Sequence, residues 1–103
     1  MVEQTNKFTV LAKLKALPGY EKVLMEAAGV IWTASRKEEG CEMFLFNTLK
    51  EEPGTIYFFE VFSSKADFDY HLSLEHTKKF LNFLKGKIAG DFPEQTFLTR
   101  IED

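Results

Sequence analysis

Apolar and polar residues alternate from Phe8 to Leu17. Phe8, Val10, Ala12, Leu14 and Ala16 share one face, with Thr9, Leu11, Lys13 and Lys15 on the other. Successive strand side chains point to opposite faces, so this period of two predicts a β-strand. Pro18-Gly19 ends it. From Tyr20 to Lys37 the period changes. Tyr20, Val23, Leu24, Ala27, Ile31 and Ala34 recur at the spacing of an amphipathic helix, and Glu38-Glu39-Gly40 supplies its stop. Two strands follow, Glu42 to Leu49 and Thr55 to Phe62, joined by a hairpin loop from Lys50 to Gly54. Ser64 stands as an N-cap with Asp67 in the capping-box position. A helical region then runs to about Lys87, with an interruption expected near Ser73 and an apolar stripe of Phe80, Leu84 and Ile88. Gly90 and Pro93 end it, and Gln95 to Ile101 reads as a last strand.

The order strand–helix–strand–strand–helix–strand is the ferredoxin-like βαββαβ pattern of an α+β fold: one antiparallel sheet with its helices on one face. Residues 1–103 read as one domain with its core at about 8–101, and neither repeats nor linkers interrupt it. A lone sheet covered on one side is expected to be polar on the other. Here Ile56, Phe58 and Phe62 point one way while Tyr57, Phe59 and Val61 point the other, and Met43 and Leu45 oppose Phe44 and Phe46. Two apolar faces with helices for only one predict that a second subunit covers the remainder, as a two-fold homodimer.

Composition narrows the class of protein. With 45% apolar and 28% charged residues the chain is expected to be a soluble globule. A net charge of −3 without a basic stripe argues against nucleic acid, and Lys78, Lys79, Lys85 and Lys87 read as the wet face of a helix. No apolar run is long enough for a membrane span, and the opening MVEQTNKF lacks a signal-peptide core. The single cysteine, Cys41, excludes an internal disulfide and fits a reducing cytoplasm, with a buried structural thiol expected. Eleven phenylalanines are a heavy aromatic load for this length, and they imply a large core or an apolar pocket.

Polar residues on these apolar strands are the candidate chemistry. Asn47 lies on the Met43–Leu45–Leu49 face of its strand and Glu60 on the Ile56–Phe58–Phe62 face of its own. A carboxyl group in an apolar setting has its pKa raised, which prepares it to exchange protons; pairing with a histidine or lysine inside the fold is the structural alternative. The two histidines of the chain, His71 and His76, follow Glu60 closely. Histidine trades protons near neutral pH, so an acid–base pocket is one reading, and solvated helix-end histidines are the other. On one continuous helix, residues five apart point about 140° from each other; a break near Ser73 could bring them together, but no third ligand is evident, so no metal site is expected. Neither a Gly-rich phosphate loop nor a Cys-x-x-Cys pair is present, and a Rossmann fold for flavin or nicotinamide is excluded by length and topology. Trp32 receives no role.

One further reading comes from likeness. A strand ending in Pro18-Gly19 before a long helix, then Glu39-Gly40-Cys41, Asn47, Pro53-Gly54, Glu60-x-Phe62-x-Ser64, His71 and His76, resembles the antibiotic biosynthesis monooxygenase, or quinol-monooxygenase-like, family from Phe8 to Ile101. The resemblance implies a dimeric α+β barrel. It also implies a monooxygenase using neither metal nor flavin, acting with O2 on a small quinol or related aromatic. On this carry-over His71 and Glu60 handle the proton, Asn47 bonds the substrate oxygen, and His76, Tyr57, Phe62 and Tyr70 are substrate contacts. Phe62 departs from the tryptophan common at its position. The haem-degrading relatives carry an Asn where this chain has Ala12 and a histidine where it has Leu81 or Asn82, so haem chemistry is not implied. A proton-transfer isomerase of a small carbonyl or sugar-derived compound, and a non-catalytic module binding a small hydrophobic molecule, are the alternative functions.

Overall fold

The computed structural model describes residues 2–102 and has the element order β1 (Glu3–Lys15), α1 (Glu21–Ser35), β2 (Cys41–Leu49), β3 (Glu52–Phe62), α2 (Lys65–Ser73), α3 (Glu75–Leu84) and β4 (Glu94–Glu102). The four strands form one sheet in the order β2-β3-β1-β4, with every neighbouring pair antiparallel. This is the ferredoxin-like α+β topology. Its two outer strands, β2 and β4, each enter or leave a helix-bearing connection, which sets the site at one end of the sheet.

The alternation in β1 does what its period requires. Val10, Ala12 and Leu14 are buried beneath the helices. Ala12 and Leu14 meet Leu24, Ala28 and Ile31 of α1, Phe44 and Phe58 of the sheet, and Phe80 and Leu84 of α3 in one apolar core. A smaller cluster of Val10, Phe62 and Phe68 lies under α2. Trp32 ties α1 to the sheet: its indole N–H donates to the Phe44 carbonyl at 2.9 Å, and its ring meets Phe46 edge-on.

Several boundaries differ from the sequence expectation. β1 begins at Glu3, because polar residues before Phe8 extend it along β4 through a bulge between Gln4 and Phe8. The β2–β3 loop shrinks to Lys50-Glu51, since Glu52 already pairs with Leu49. The buried positions of α1 are Leu24, Ala28, Ile31 and Ser35, while Tyr20 and Val23 are exposed. The expected interruption in the second helical region is real. Leu74 is extended (φ −77°, ψ 147°), and its carbonyl accepts from the amides of Thr77 and Lys78 as α3 starts afresh. Ser64 caps α2, its hydroxyl accepting from the Asp67 amide at 3.2 Å.

The sheet's other face carries Met43, Leu45 and Leu98, each 43–49% exposed. No helix among the described residues is long and apolar enough to cross a membrane.

Candidate functional site

The site grows from β3. Glu60 pairs with Val10 on one side and Phe44 on the other, which turns its side chain to the helix-covered face between apolar neighbours. It is only 5% exposed. Burial pushes its pKa up to about 8, and the negative Glu38 side chain pushes in the same direction. A carboxyl group in this setting is protonated at neutral pH and can donate a proton.

Above it, the break at Leu74 sets the two histidines. His71 closes α2, and His76 lies in the first turn of α3. With the helix axis redirected between them, the rings turn toward one another, and a third group joins them. Glu38, in the loop after α1, reaches His71 Nδ1 at 2.8 and 3.0 Å and His76 Nε2 at 2.6 Å. A carboxylate only accepts, so both rings donate to it. The approach depends on Gly40. Any Cβ there would collide with the Asp67 side chain, and the Gly40 carbonyl accepts from Ser63 at 2.9 Å, which pins the loop against the start of α2.

The Glu38 bond fixes the His71 tautomer. With its proton on Nδ1, the ring has a bare lone pair on Nε2, and no side chain among the described residues bonds that atom. Burial pulls the His71 pKa below the ordinary histidine value, against the opposing pull of Glu38, so the ring is neutral near pH 7. Phe62 packs against it at 5.0 Å between ring centroids.

Glu60 and His71 line one small cavity of about 30 Å³, together with Thr77 and Gln95 and walls that include Phe44, Phe58, Phe68 and Phe80. That is room for a water or two. Beside it, between α1 and α3, lies an open groove of about 620 Å³ lined by Ala27, Val30, Ile31, His76, Lys79, Phe80 and Phe83, with Glu75 at its edge. Ile31 and Phe80 line both spaces, so these two side chains partition the groove from the buried acid and base.

Of the residues singled out in the sequence, Glu60, His71 and His76 belong to this end of the fold, and Phe62 supports the His71 ring. Asn47 does not join them. It pairs with Tyr57 on the opposite, outer face, where its amide donates to the Tyr57 carbonyl at 3.3 Å. Tyr57 shares that face, and Tyr70 is 59% exposed on α2, away from the cavity. Alternation along β2 and β3 separates Asn47 and Tyr57 from Glu60. The angular objection to a shared histidine site assumed a continuous helix and is corrected by the break. The missing third group is Glu38, and the ligand atoms of Glu38, His71 and His76 lie within 4.8 Å of one another. In the sequence Glu38 reads only as part of a helix stop. The signal for it was indirect: two histidines across a helix break, with an acidic loop feeding the neighbouring strand. Cys41 is half-buried, and burial raises its pKa to about 11, which leaves an inert thiol as expected.

Comparison with known proteins agrees with this architecture. The family model for antibiotic biosynthesis monooxygenase matches residues 7–82. A solved structure from Shewanella oneidensis superposes with a TM-score of 0.90 at 17% identity, covering 100% of both chains. One from Mycobacterium tuberculosis gives 0.86 at 18% identity, over 94% of this chain and 97% of that one. One from Pseudomonas aeruginosa gives 0.86 at 20%, over 95% and 97%. At such identities the likeness is one of fold. No curated protein matches the sequence.

Proposed function

The chain belongs to the antibiotic biosynthesis monooxygenase family, and from that premise we propose that it oxidises a small phenol or quinol with O2, using the Glu60–His71 cavity and no external reductant. One observation carries the reading: a buried, neutral histidine, His71, held by Glu38 with an unpartnered Nε2 beside an apolar cavity. That is the arrangement a general base needs. His71 Nε2 takes the phenolic proton. The phenolate, unshielded by water, is electron-rich enough to reduce O2. A ring carbon–oxygen bond forms, the O–O bond breaks, and the second oxygen leaves as water, so that phenol plus O2 gives quinone plus water. Glu60, carrying its proton, donates to oxygen as negative charge develops there.

A cavity of about 30 Å³ holds water, whereas an aromatic ring needs on the order of 150 Å³. The substrate therefore enters from the groove, whose volume is in the usual range for small-molecule sites, and Phe80 and Ile31 swing aside to admit its hydroxyl. The test is oxygen uptake across a panel of quinols and naphthols, with mass spectrometry of products made under ¹⁸O₂. Incorporation of one labelled oxygen, reduced about 10²-fold or more in His71→Ala, is the expected result. Full turnover in that variant contradicts the assignment.

A second reading draws on the same pair. A protonated acid and a neutral base facing one cavity suit the relocation of a proton next to a carbonyl, which would make the protein an isomerase of a small carbonyl compound. Solvent deuterium entering a candidate substrate without oxygen uptake distinguishes it. Binding of the aromatic panel with neither reaction leaves the non-catalytic module.

The outer face supports the homodimer reading. Met43, Leu45 and Leu98 make an apolar surface that a second copy of the sheet would cover. Sedimentation at micromolar concentration is expected to give twice the chain mass, and a monomer contradicts it. The cytoplasm is the proposed location, since a single cysteine leaves no internal disulfide to form.

A further inference from the structure

Glu38, His71 and His76 come from three separate elements and converge at the helix break. We propose that they also form a binding site for a divalent first-row transition-metal ion, with zinc(II) as the reference ion. Two imidazoles and one carboxylate, with a further position open to water, are a donor set that such ions use.

Geometry supports the inference. Ligands on one zinc lie about 2.0–2.1 Å from it, so two of them are at most about 4.2 Å apart. The three donor atoms here lie within 4.8 Å of one another, and to reach the roughly 3.3 Å edge of a tetrahedral shell the widest pair closes by up to about 1.5 Å through side-chain rotation. The separations of 2.6–3.0 Å from the Glu38 oxygens to the two ring nitrogens match the edges of a coordination shell at that radius, about 2.9–3.3 Å, to within a few tenths. The Glu38 and His71 side chains are 5–6% exposed, which shields an ion from competing water, and the His76 side chain is 30% exposed beside the groove, which gives it a way in. A metal on Nδ1 moves the His71 proton to Nε2. That N–H then belongs to a ring that lines the cavity shared with Glu60, where one water can carry its hydrogen bond to the carboxyl group.

The ion and the base use the same ring in opposite tautomers. Zinc therefore removes the lone pair needed for proton abstraction, and chelation returns it; this consequence rests on the proposed function, while the binding itself does not.

The test is calorimetric titration of the full chain, stripped with a chelator and desalted, with zinc(II), paired with cobalt(II) and its visible d–d absorption. Expected are one ion per chain and cobalt bands showing nitrogen and oxygen ligation. Both should weaken about tenfold or more in His76→Gln and in Glu38→Gln. The fold of each variant is checked by circular dichroism. If Glu38→Gln does not fold, the more exposed His76→Gln decides alone. Absence of heat and of cobalt bands, or binding that His76→Gln leaves unchanged, overturns the site. No substrate enters the measurement, so its failure is separate from failure of the oxidation.

Discussion

The two faces of β3 are nearly equal in hydrophobicity and opposite in consequence. Ile56, Phe58, Glu60 and Phe62 turn toward the helices and are all buried, while on the outward side Tyr57 and Phe59 stay partly exposed and Val61 is buried. A carboxyl group on the inner face is cut off from water and becomes a protonated acid. An amide on the outer face, Asn47, bonds the neighbouring backbone and faces solvent. What separates them is the helical cover, which lies on the inner face alone. Chemistry here follows desolvation more closely than residue type.

Substitutions on the two faces test that contrast. The largest expected effect is Phe58→Ala. Its ring is 2% exposed and meets Phe44, Phe46 and Phe80, so chemical denaturation should show a loss of about 3–5 kcal/mol. A loss under 1 kcal/mol would mean the inner core is not packed as described.

Next is the pH dependence of stability carried by Glu60. Its folded pKa, about 8, lies above the ordinary value of 4.5, so the folded state holds a proton that the unfolded chain gives up. Stability is full below about pH 4.5 and falls as pH rises toward 8, by up to about 1.4 kcal/mol per pH unit from this group. Glu60→Gln should flatten that fall between pH 5 and 8 in parallel denaturation curves. Equal slopes for the two proteins would place the carboxyl group in water.

The smallest effect is expected outside. Leu45→Ser, at a position 49% exposed, should change the stability of the isolated chain by about 0.5 kcal/mol or less. The same substitution should weaken self-association in sedimentation, because an apolar contact between sheets is lost. Unchanged association would remove Leu45 from the contact.

How far the sequence could be read follows the same division. Period-two and helical patterns marked all four strands and both helical regions, because each buries one apolar stripe, and Gly and Pro marked most of their ends. Glu60 was legible because a lone carboxyl group stands out among phenylalanines. Glu38 was not, since a loop acid looks the same whether it is solvated or folded inward. The histidine pair was half-legible. The break near Ser73 could be seen, but the direction α3 takes after Leu74 is set by packing of Phe80 and Leu84 on the sheet, which no local pattern encodes. Asn47 and Tyr57 join Glu60 only through the family likeness: alternation along β3 already sets Tyr57 opposite Glu60, and Asn47 can be placed on a face only once the β2–β3 register is known.

The central claim is that Glu38 holds His71 as a neutral base with its free lone pair facing the cavity. Nitrogen NMR of the imidazole ring, on chelator-treated protein near pH 7, reads this directly. The prediction is a protonated Nδ1 and a bare Nε2 in the native chain, shifting toward the common Nε2–H tautomer in Glu38→Gln. A charged ring, or an Nε2–H tautomer in the native chain, would contradict it.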